Sequence, residues 1–466
     1  PGATPDQSLV ELRSLRNHPG SGTESSNSAF WFTGGVEYVR VENLTVLGAD
    51  VFALATASSH ISFQGVKVLY GSLSGAAVSL ASPDCEFVDG RIEGCLGHGT
   101  LIGENGIFRN NVVSRVLKEA VVSIRAGARV EQNTIHEVGG VGISLTSDGG
   151  TVKHNNVFQC ALLLADIAAM NSCSQGDLGG LEIAYNFVHA CPGRYDTSHG
   201  WGGCFGIRLD GGCGLDGVSN YLIHHNVVCG VSSPYDLAVW ALREGAPNYG
   251  NALGQIYNNT VEGIFALTGD GSLAGTDVRN NAVGNFFARA EPQTTITTLE
   301  DNIIVLKNLE GNFTGSVGFV SPSLCNYLLK SDSVALDAGQ DLGALTSGFL
   351  GSAPDLGAFE YGQNPWVAGA LMSESGIADL TVTQFLNFGC AREIRVEGMP
   401  PGRMLPHEFK LRIGNVSSTF FRHVFGADGH VSAAVIEIDT ENLEGSQLIS
   451  YSLDGTTFTS GGSIEM

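Results

Sequence analysis

A six-residue pattern (apolar, any, any, Asn, any, apolar) recurs along most of this chain and restricts the folds open to it. It reads VENLTV at Asn43, FQGVKV at Gly65, FVDGRI at Gly90, FRNNVV at Asn111, VEQNTI at Asn133 and HNNVF at Asn156. It continues as IAYNFV at Asn186, IHHNVV at Asn226, IYNNTV at Asn259, VRNNAV at Asn281 and LEDNII at Asn302. Successive positions lie 22, 25, 21, 22, 23, 30, 40, 33, 22 and 21 residues apart. A base period of about 21–25 residues fits one turn of a β-solenoid, with three short strands and three bends. Leucine-rich repeats share the period, but their Leu-x-x-Leu-x-Leu pattern is absent. Stacked coils about 4.8 Å apart bring equivalent side chains into register, so an Asn column can hydrogen-bond from coil to coil. The expected role of that column is structural, with Gly at two of its positions fitting a tight bend. The expected fold is all-β: a right-handed parallel β-helix of about eleven coils followed by a small β-sandwich.

Three segments follow. Residues 1–30 read as an N-terminal cap and link: Leu9, Leu12 and Leu15 have near-helical spacing, and a Ser-rich stretch covers 21–28. Residues 31–369 read as the solenoid, with an irregular wrap over 306–365. From 370 to 466 the runs HEFKLRIG, FFRHVFG, AAVIEIDT and LISYSLDG alternate apolar and polar residues between turn signals, as strands of an immunoglobulin-like sandwich do.

Composition narrows the function. The formal net charge is -23, which opposes nucleic acid and anionic membranes. No run of about 18 apolar residues is present, so no membrane span is expected. The sequence begins at Pro1 with neither Met nor a signal-peptide pattern, so a mature or excised product is expected. None of the ten cysteines shows C-x-x-C spacing, so no zinc or other metal site is read. Six of them, Cys160, Cys173, Cys191, Cys204, Cys213 and Cys229, fall in one stretch, which suits disulfides in an extracellular setting. Cys95, Cys160, Cys191 and Cys229 follow their repeat positions by three to five residues and are expected at one corner. Asn43 is expected inside the ladder and free of glycan, whereas the sequons at Asn258, Asn312 and Asn415 are expected to carry one. No cofactor is expected. Calcium suits acidic extracellular solenoids in general, but no G-G-x-G-x-D series signals it here.

The three long steps are consecutive, between Asn156 and Asn259. Their extra residues should stack into one wall, and insertions on a rigid scaffold are where binding and catalysis concentrate. A second strand column, VSIR (Val122 to Arg125), ISLT and IRLD, runs through the same coils. Alternation points Val122, Ile143 and Ile207 inward, and Ser123, Ser144 and Arg208 outward. Asp166, Arg208, Asp210 and Trp240 then share an outer face. The insertions add Asp177, Asp196, His199, Trp201, Tyr235 and Asp236. Paired carboxyl groups beside an aromatic ring suit a sugar, so Asp166 and Asp210 are the expected acid and base of glycosidic hydrolysis. Arg208, Trp240, Asp196, His199, Trp201 and Tyr235 are the expected substrate contacts. His189, His224 and His225 adjoin ladder positions, and His225, immediately before its Asn, reads as packing or a satisfied turn. Few Lys or Arg residues lie on this wall, which disfavours a lyase.

The stretches GLEIAYNFVHA, FGIRLDGG and SNYLIHHNVVCG, with APDLGAFEYGQNPWVAG at 353–369, resemble secreted β-helix proteins of the pectate-lyase-like superfamily. The resemblance covers roughly residues 30–369. It implies a parallel β-helix and an extracellular polysaccharide as partner. It departs at Ala190 and Cys191, where such proteins commonly carry an acidic residue. The alternative function is a noncatalytic glycoprotein subunit that self-associates into a filament, wall or appendage, or a sugar-binding adhesin.

Overall fold

The computed structural model describes residues 28–32, 36–53, 58–71, 75–122, 126–145, 149–172, 176–193, 203–210, 218–233, 235–241, 254–269, 275–290, 298–304, 312–322, 325–366, 368–370, 381–388, 391–397, 410–418, 420–425, 431–438, 446–452 and 459–465. The proposed cap helix at 5–17 therefore lies outside the described residues. The chain divides into two compact units, Pro1–Ala368 and Gly369–Met466.

The first unit is a parallel β-helix with three strand columns. The first column is an eleven-stranded parallel sheet running from Arg40–Glu42 through Ser62–Gln64, Glu86–Val88 and Ile107–Arg109 to Thr298–Glu300. Each of its strands faces its successor about one repeat later; Phe87, for example, pairs with Phe63 and Phe108. The second and third columns merge into one 21-stranded sheet. The second contains Val112–Val116, Thr134–Val138, Asn156–Phe158, Phe187–His189 and Val227–Cys229. The third contains His98–Ile102, Ile167–Ser172, Cys204–Asp210 and Tyr235–Ala241.

Alternation along these short strands sets one residue of each inward, and stacking makes continuous apolar rows. Phe63, Phe87 and Phe108 form one such row, fully buried, with ring centroids 6.3 and 5.9 Å apart. Val113, Ile135, Val157, Val188 and Val228 form another. Burying a side chain of this size contributes about 1.5–3 kcal/mol. A single coil cannot shield it, so stacking is what closes the core.

The bend between the first and second columns uses two residues with distinct tasks. The first adopts a left-handed backbone, with φ from 49° to 57° at Asn43, Asp89, Asn110, Gln132, His154, Tyr185, His225, Asn258, Asn280 and Asp301, and 63° at Gly65. The second is the ladder position. From Gly90 onward each backbone N–H there donates to the side-chain oxygen of the next Asn, at 2.7 Å for Gly90 to Asn111 and 2.9 Å for Asn111 to Asn133. The ladder continues through Asn155, Asn186, Asn226, Asn259, Asn281 and Asn302 to Asn312. Each side-chain amide also donates to a first-column carbonyl of the coil before, as Asn133 does to Phe108 at 2.9 Å. These groups are cut off from both sheets by the bend, and the ladder satisfies them internally.

The ladder corrects three registers. Asn155 rather than Asn156 is the rung; Asn156 opens the next strand and its Oδ1 meets His189 Nε2 at 2.9 Å. Asn43 and Gly65 belong to the left-handed column, one residue early, and Leu44 and Val66 occupy their rungs. Asn43 is accordingly exposed, not enclosed. A Gly or Asn is favoured at both neighbouring positions for different reasons, which is why the pattern slid by one.

Residues 312–366 lie over the last coils. Asp355 accepts N–H bonds from Asp337 and Tyr361 at 2.8 and 2.7 Å, and Glu360 accepts from Leu350 and Asp355 at 3.1 and 3.0 Å. Carboxylates thus replace the sheet partners this irregular segment lacks. Ala358 N–H donates to Thr260 Oγ1 at 2.9 Å, tying the wrap to a coil.

The second unit holds two four-stranded antiparallel sheets. One orders Thr381–Phe388, Ala391–Glu397, Val431–Ile438 and Phe420–Phe425; the other Val416–Ser417, Lys410–Ile413, Ser446–Ser452 and Thr459–Glu465.

Candidate functional site

The enlarged coils do lie side by side. Their extra length goes partly into longer paired strands: Gly176 and Asp177 pair with Val218 and Ser219, and Leu209 and Asp210 pair with Val239 and Trp240. In the third column Ile143, Met170, Ile207 and Leu237 share an inward row, with Ser144, Asn171 and Arg208 on the outer side. Val121, not Val122, pairs with Ile143, so the inward position falls one residue before the VSIR segment. Ser123 and Arg125 lie outside the described residues.

Arg208 is the centre of the outer face. Its side chain is only 6% exposed and its guanidinium lies 4.9 Å from the Phe205 ring centroid. Phe205 belongs to a small apolar cluster with Ala168 and Ala266. Arg208 Nη1 donates to Asp166 Oδ1 at 3.0 Å and Nε donates to Asn171 Oδ1 at 2.9 Å, while Asp210 Oδ2 lies 3.7 Å from Nε. A cation this buried is tolerated because it is paired and hydrogen-bonded. The two carboxylates differ in access: the Asp166 side chain is 57% exposed and that of Asp210 14%. Asp166 sits at a left-handed turn, φ 55°, just before its strand.

Of the other expected contacts, Trp240 takes the strand position beside Asp210 on the next coil, and Tyr235 opens the same strand opposite Ile264. Asp196, His199 and Trp201 lie outside the described residues, as do Cys173 and Cys213. Asp177 is occupied with structure, accepting from Gly179 N–H at 2.7 Å and Asn220 Nδ2 at 2.9 Å. His189 packs between Phe158 and Phe187.

In the sequence Asp236 reads as one acid among several in the insertions. It is 5% exposed, and its Oδ2 accepts Gly263 N–H at 2.7 Å. Burial, helped by neighbouring Glu262, pushes its carboxyl up to about 7. Gly263 is needed there, since a Cβ would fall 2.5 Å from Asp236 Oδ1. The only sequence hint was this glycine, one coil further on.

The cysteines depart from expectation. Cys160, Cys191, Cys204 and Cys229 are buried free thiols, as are Cys85 and Cys95. Cys191 interacts with both Cys160 and Cys204, and burial pushes the Cys160 and Cys204 thiols well up. The Cys160 and Cys191 thiols donate to carbonyls two residues back, Phe158 at 3.5 Å and His189 at 3.3 Å. Cys229 is not in their corner: it pairs with His189 in the second column and interacts with Cys325 of the wrap.

Two sequons are also corrected. Asn258 points out of its coil but is 3% exposed, because the wrap covers it and its Nδ2 donates to the Asp355 carbonyl at 3.2 Å. Asn312 is the last rung, its Oδ1 accepting from Asn302 Nδ2 at 2.9 Å. Asn415 is exposed.

Among the described residues no helix is long and apolar enough to cross a membrane, and no group of three or more His, Cys, Asp or Glu side chains is placed to hold a metal. No protein-family model matches the chain, and no curated protein does. Among solved structures the chain is similar to one described as the crystal structure of pectate lyase Pel9A, at 15% identity and a TM-score of 0.36, over 72% of this chain and 86% of that one. The parallel β-helix seen here is the fold that the sequence resemblance implied.

Proposed function

We propose that this chain is a β-helix protein that engages an extracellular polysaccharide on the outer face of its third strand column, around Asp166, Arg208 and Asp210. The observation that carries this reading is the buried Arg208 guanidinium, which gathers both carboxylates at one point of the enlarged coils. Fixed carboxylates accept charge-assisted hydrogen bonds from sugar hydroxyls. Trp240, at the adjoining strand position, supplies the residue type that stacks on a pyranose ring. An extracellular location, and a spacer or docking role for an immunoglobulin-like C-terminal unit, belong to the same reading.

Hydrolysis of a glycosidic bond by Asp166 and Asp210 requires one of the two to deliver a proton. Both are gathered on the Arg208 guanidinium, at 3.0 Å for Asp166 and 3.7 Å for Asp210. Binding is the activity this arrangement serves directly. For hydrolysis, Asp236 is the described acid on the adjoining strand that retains a proton towards neutral pH.

The test combines affinity electrophoresis and reducing-end release on a panel of neutral and acidic polysaccharides. Retardation by at least one member, weakened in Asp210→Asn, is expected. Reducing ends lost in both Asp210→Asn and Asp236→Asn would replace binding by hydrolysis. Neither retardation nor turnover on any member would sink the assignment.

A further inference from the structure

The outer face of the third column presents its charges unequally. The Arg208 side chain is 6% exposed and that of Asp166 is 57% exposed. The guanidinium is held inside the face: Nη1 donates to Asp166 at 3.0 Å, Nε donates to Asn171 at 2.9 Å, and the Phe205 ring centroid lies 4.9 Å away. Asp166 spends Oδ1 on Arg208, whereas its Oδ2 is bonded to no described group. The charge that this pair offers to solvent is therefore the carboxylate, although a cation lies beneath it.

The surroundings carry the same sign. Residues 160–250, which make up the enlarged coils, contain eight Asp or Glu, three Arg and no Lys, a formal charge of -5 wherever the individual side chains point. Among the described residues of that stretch Arg208 is the one Arg or Lys. Asp210 adds a second carboxyl group 3.7 Å from Arg208 Nε, so two acids are set against one guanidinium. A uronate brought to this point would add a third. It would also have to displace Asp166 to reach the buried cation, leaving one charge of the pair without its partner.

We propose that the polymer engaged by this face is built of amino sugars with free ammonium groups, one of which pairs with Asp166 Oδ2. This rests on the reading of the face as a polysaccharide site and adds the sign of the ligand. An ammonium brings three donors to an oxygen that lacks one, in a charge-assisted bond that a hydroxyl or an acetamide cannot match. The field of a chain with a formal charge of -23 draws a polycation in and holds a polyuronate off. Asp166 is well exposed, so the expected preference is modest and falls as salt rises.

The test is isothermal titration calorimetry of the full chain with three β- or α-linked tetramers: of glucosamine, of N-acetylglucosamine and of galacturonic acid, the last with and without calcium. At low salt the glucosamine tetramer should bind at least about three-fold more tightly than its N-acetylated counterpart, the order that an exposed ion pair contributes. Because this comparison uses the unaltered chain, it does not depend on how any variant folds. Asp166→Asn should abolish the difference; asparagine keeps an oxygen for Arg208 Nη1 and tolerates the left-handed backbone at this position, φ 55°. Glu104→Gln, at an exposed residue outside the enlarged coils, should leave it intact. A preference that survives Asp166→Asn, or that Glu104→Gln reduces as much, would assign it to the acidic surface as a whole and overturn the pairing. Equal or tighter binding of the N-acetylated or galacturonate tetramer, with or without calcium, would overturn the ligand class while leaving the face a polysaccharide site. Binding of none of the three would also overturn it, and the wider polysaccharide panel would then decide the face separately.

Discussion

Replacing Asn186 by alanine removes one rung of the ladder in the middle of the enlarged coils. The Asn186 oxygen accepts from Asn155 N–H at 2.9 Å, and its amide donates to the Val152 carbonyl at 2.8 Å. Both backbone groups would be left buried without those partners. Other losses are smaller: Asn155 Nδ2 keeps its bond to the Val130 carbonyl, and Asn226 Oδ1 keeps the Asn186 backbone N–H. An orphaned buried group costs about 1–3 kcal/mol, so two give roughly 2–6 kcal/mol. A global melting temperature is a blunt readout, since solenoids open by segments. The sharper assay is native-state hydrogen exchange at the Asn155 amide, whose protection should fall at least about ten-fold, the equivalent of roughly 1.4 kcal/mol. Asn312→Ala, at the partly exposed end of the ladder, should cost much less. Asn186→Asp is diagnostic: a carboxylate turned on the Val152 carbonyl is repelled, and only the protonated form can donate. Its folded pKa should therefore rise, and its stability relative to wild type should recover as pH falls. If Asn186→Ala leaves both the denaturant midpoint and the Asn155 protection unchanged, within about 0.5 kcal/mol, the ladder is ornament and the solenoid is held by its apolar rows alone.

Asp236 has a folded pKa near 7 against an ordinary 3.8, so the folded state holds its proton more tightly. Its contribution is full below about pH 4 and is lost as pH rises through about 7, a span on the order of 4 kcal/mol. Asp236→Asn should flatten that part of the denaturation-versus-pH curve; an unchanged slope counts against a protonated Asp236. Alkylation of unfolded, unreduced protein followed by mass spectrometry should label Cys160, Cys191, Cys204 and Cys229, and a peptide pair joining any two of them would contradict the free thiols. Expressed in a host that attaches N-linked glycans, the chain should carry them at Asn43 and Asn415 but not at Asn258, where covering by the wrap excludes one; occupancy at Asn258 on folded protein would show that the wrap forms late or opens.

The solenoid was legible because its cause is periodic. A rung that must bond its neighbours above and below leaves Asn at that position in every coil from Asn111 to Asn302, and alternation leaves an apolar residue on each side of it. What blurred the register was a second periodic demand one residue away. Left-handed backbone also favours Asn and Gly, so Asn43 and Gly65 satisfied the neighbouring column while looking like rungs, and the doublet Asn155–Asn156 offered two choices. The convergence on Arg208 was legible for the same reason as the fold, since equivalent strand positions in consecutive coils must meet. What that convergence does to the carboxylates was not. Asp166 lies 3.0 Å and Asp210 3.7 Å from the Arg208 guanidinium, and sequence spacing does not say where a side chain six atoms long will end. The burial of Asp236 and the hidden face of Asn258 depend on groups 27 and 97 residues away, Gly263 N–H and the Asp355 carbonyl. Chemistry in a solenoid is written across coils, so the properties that matter at a site are set by residues that no local motif contains.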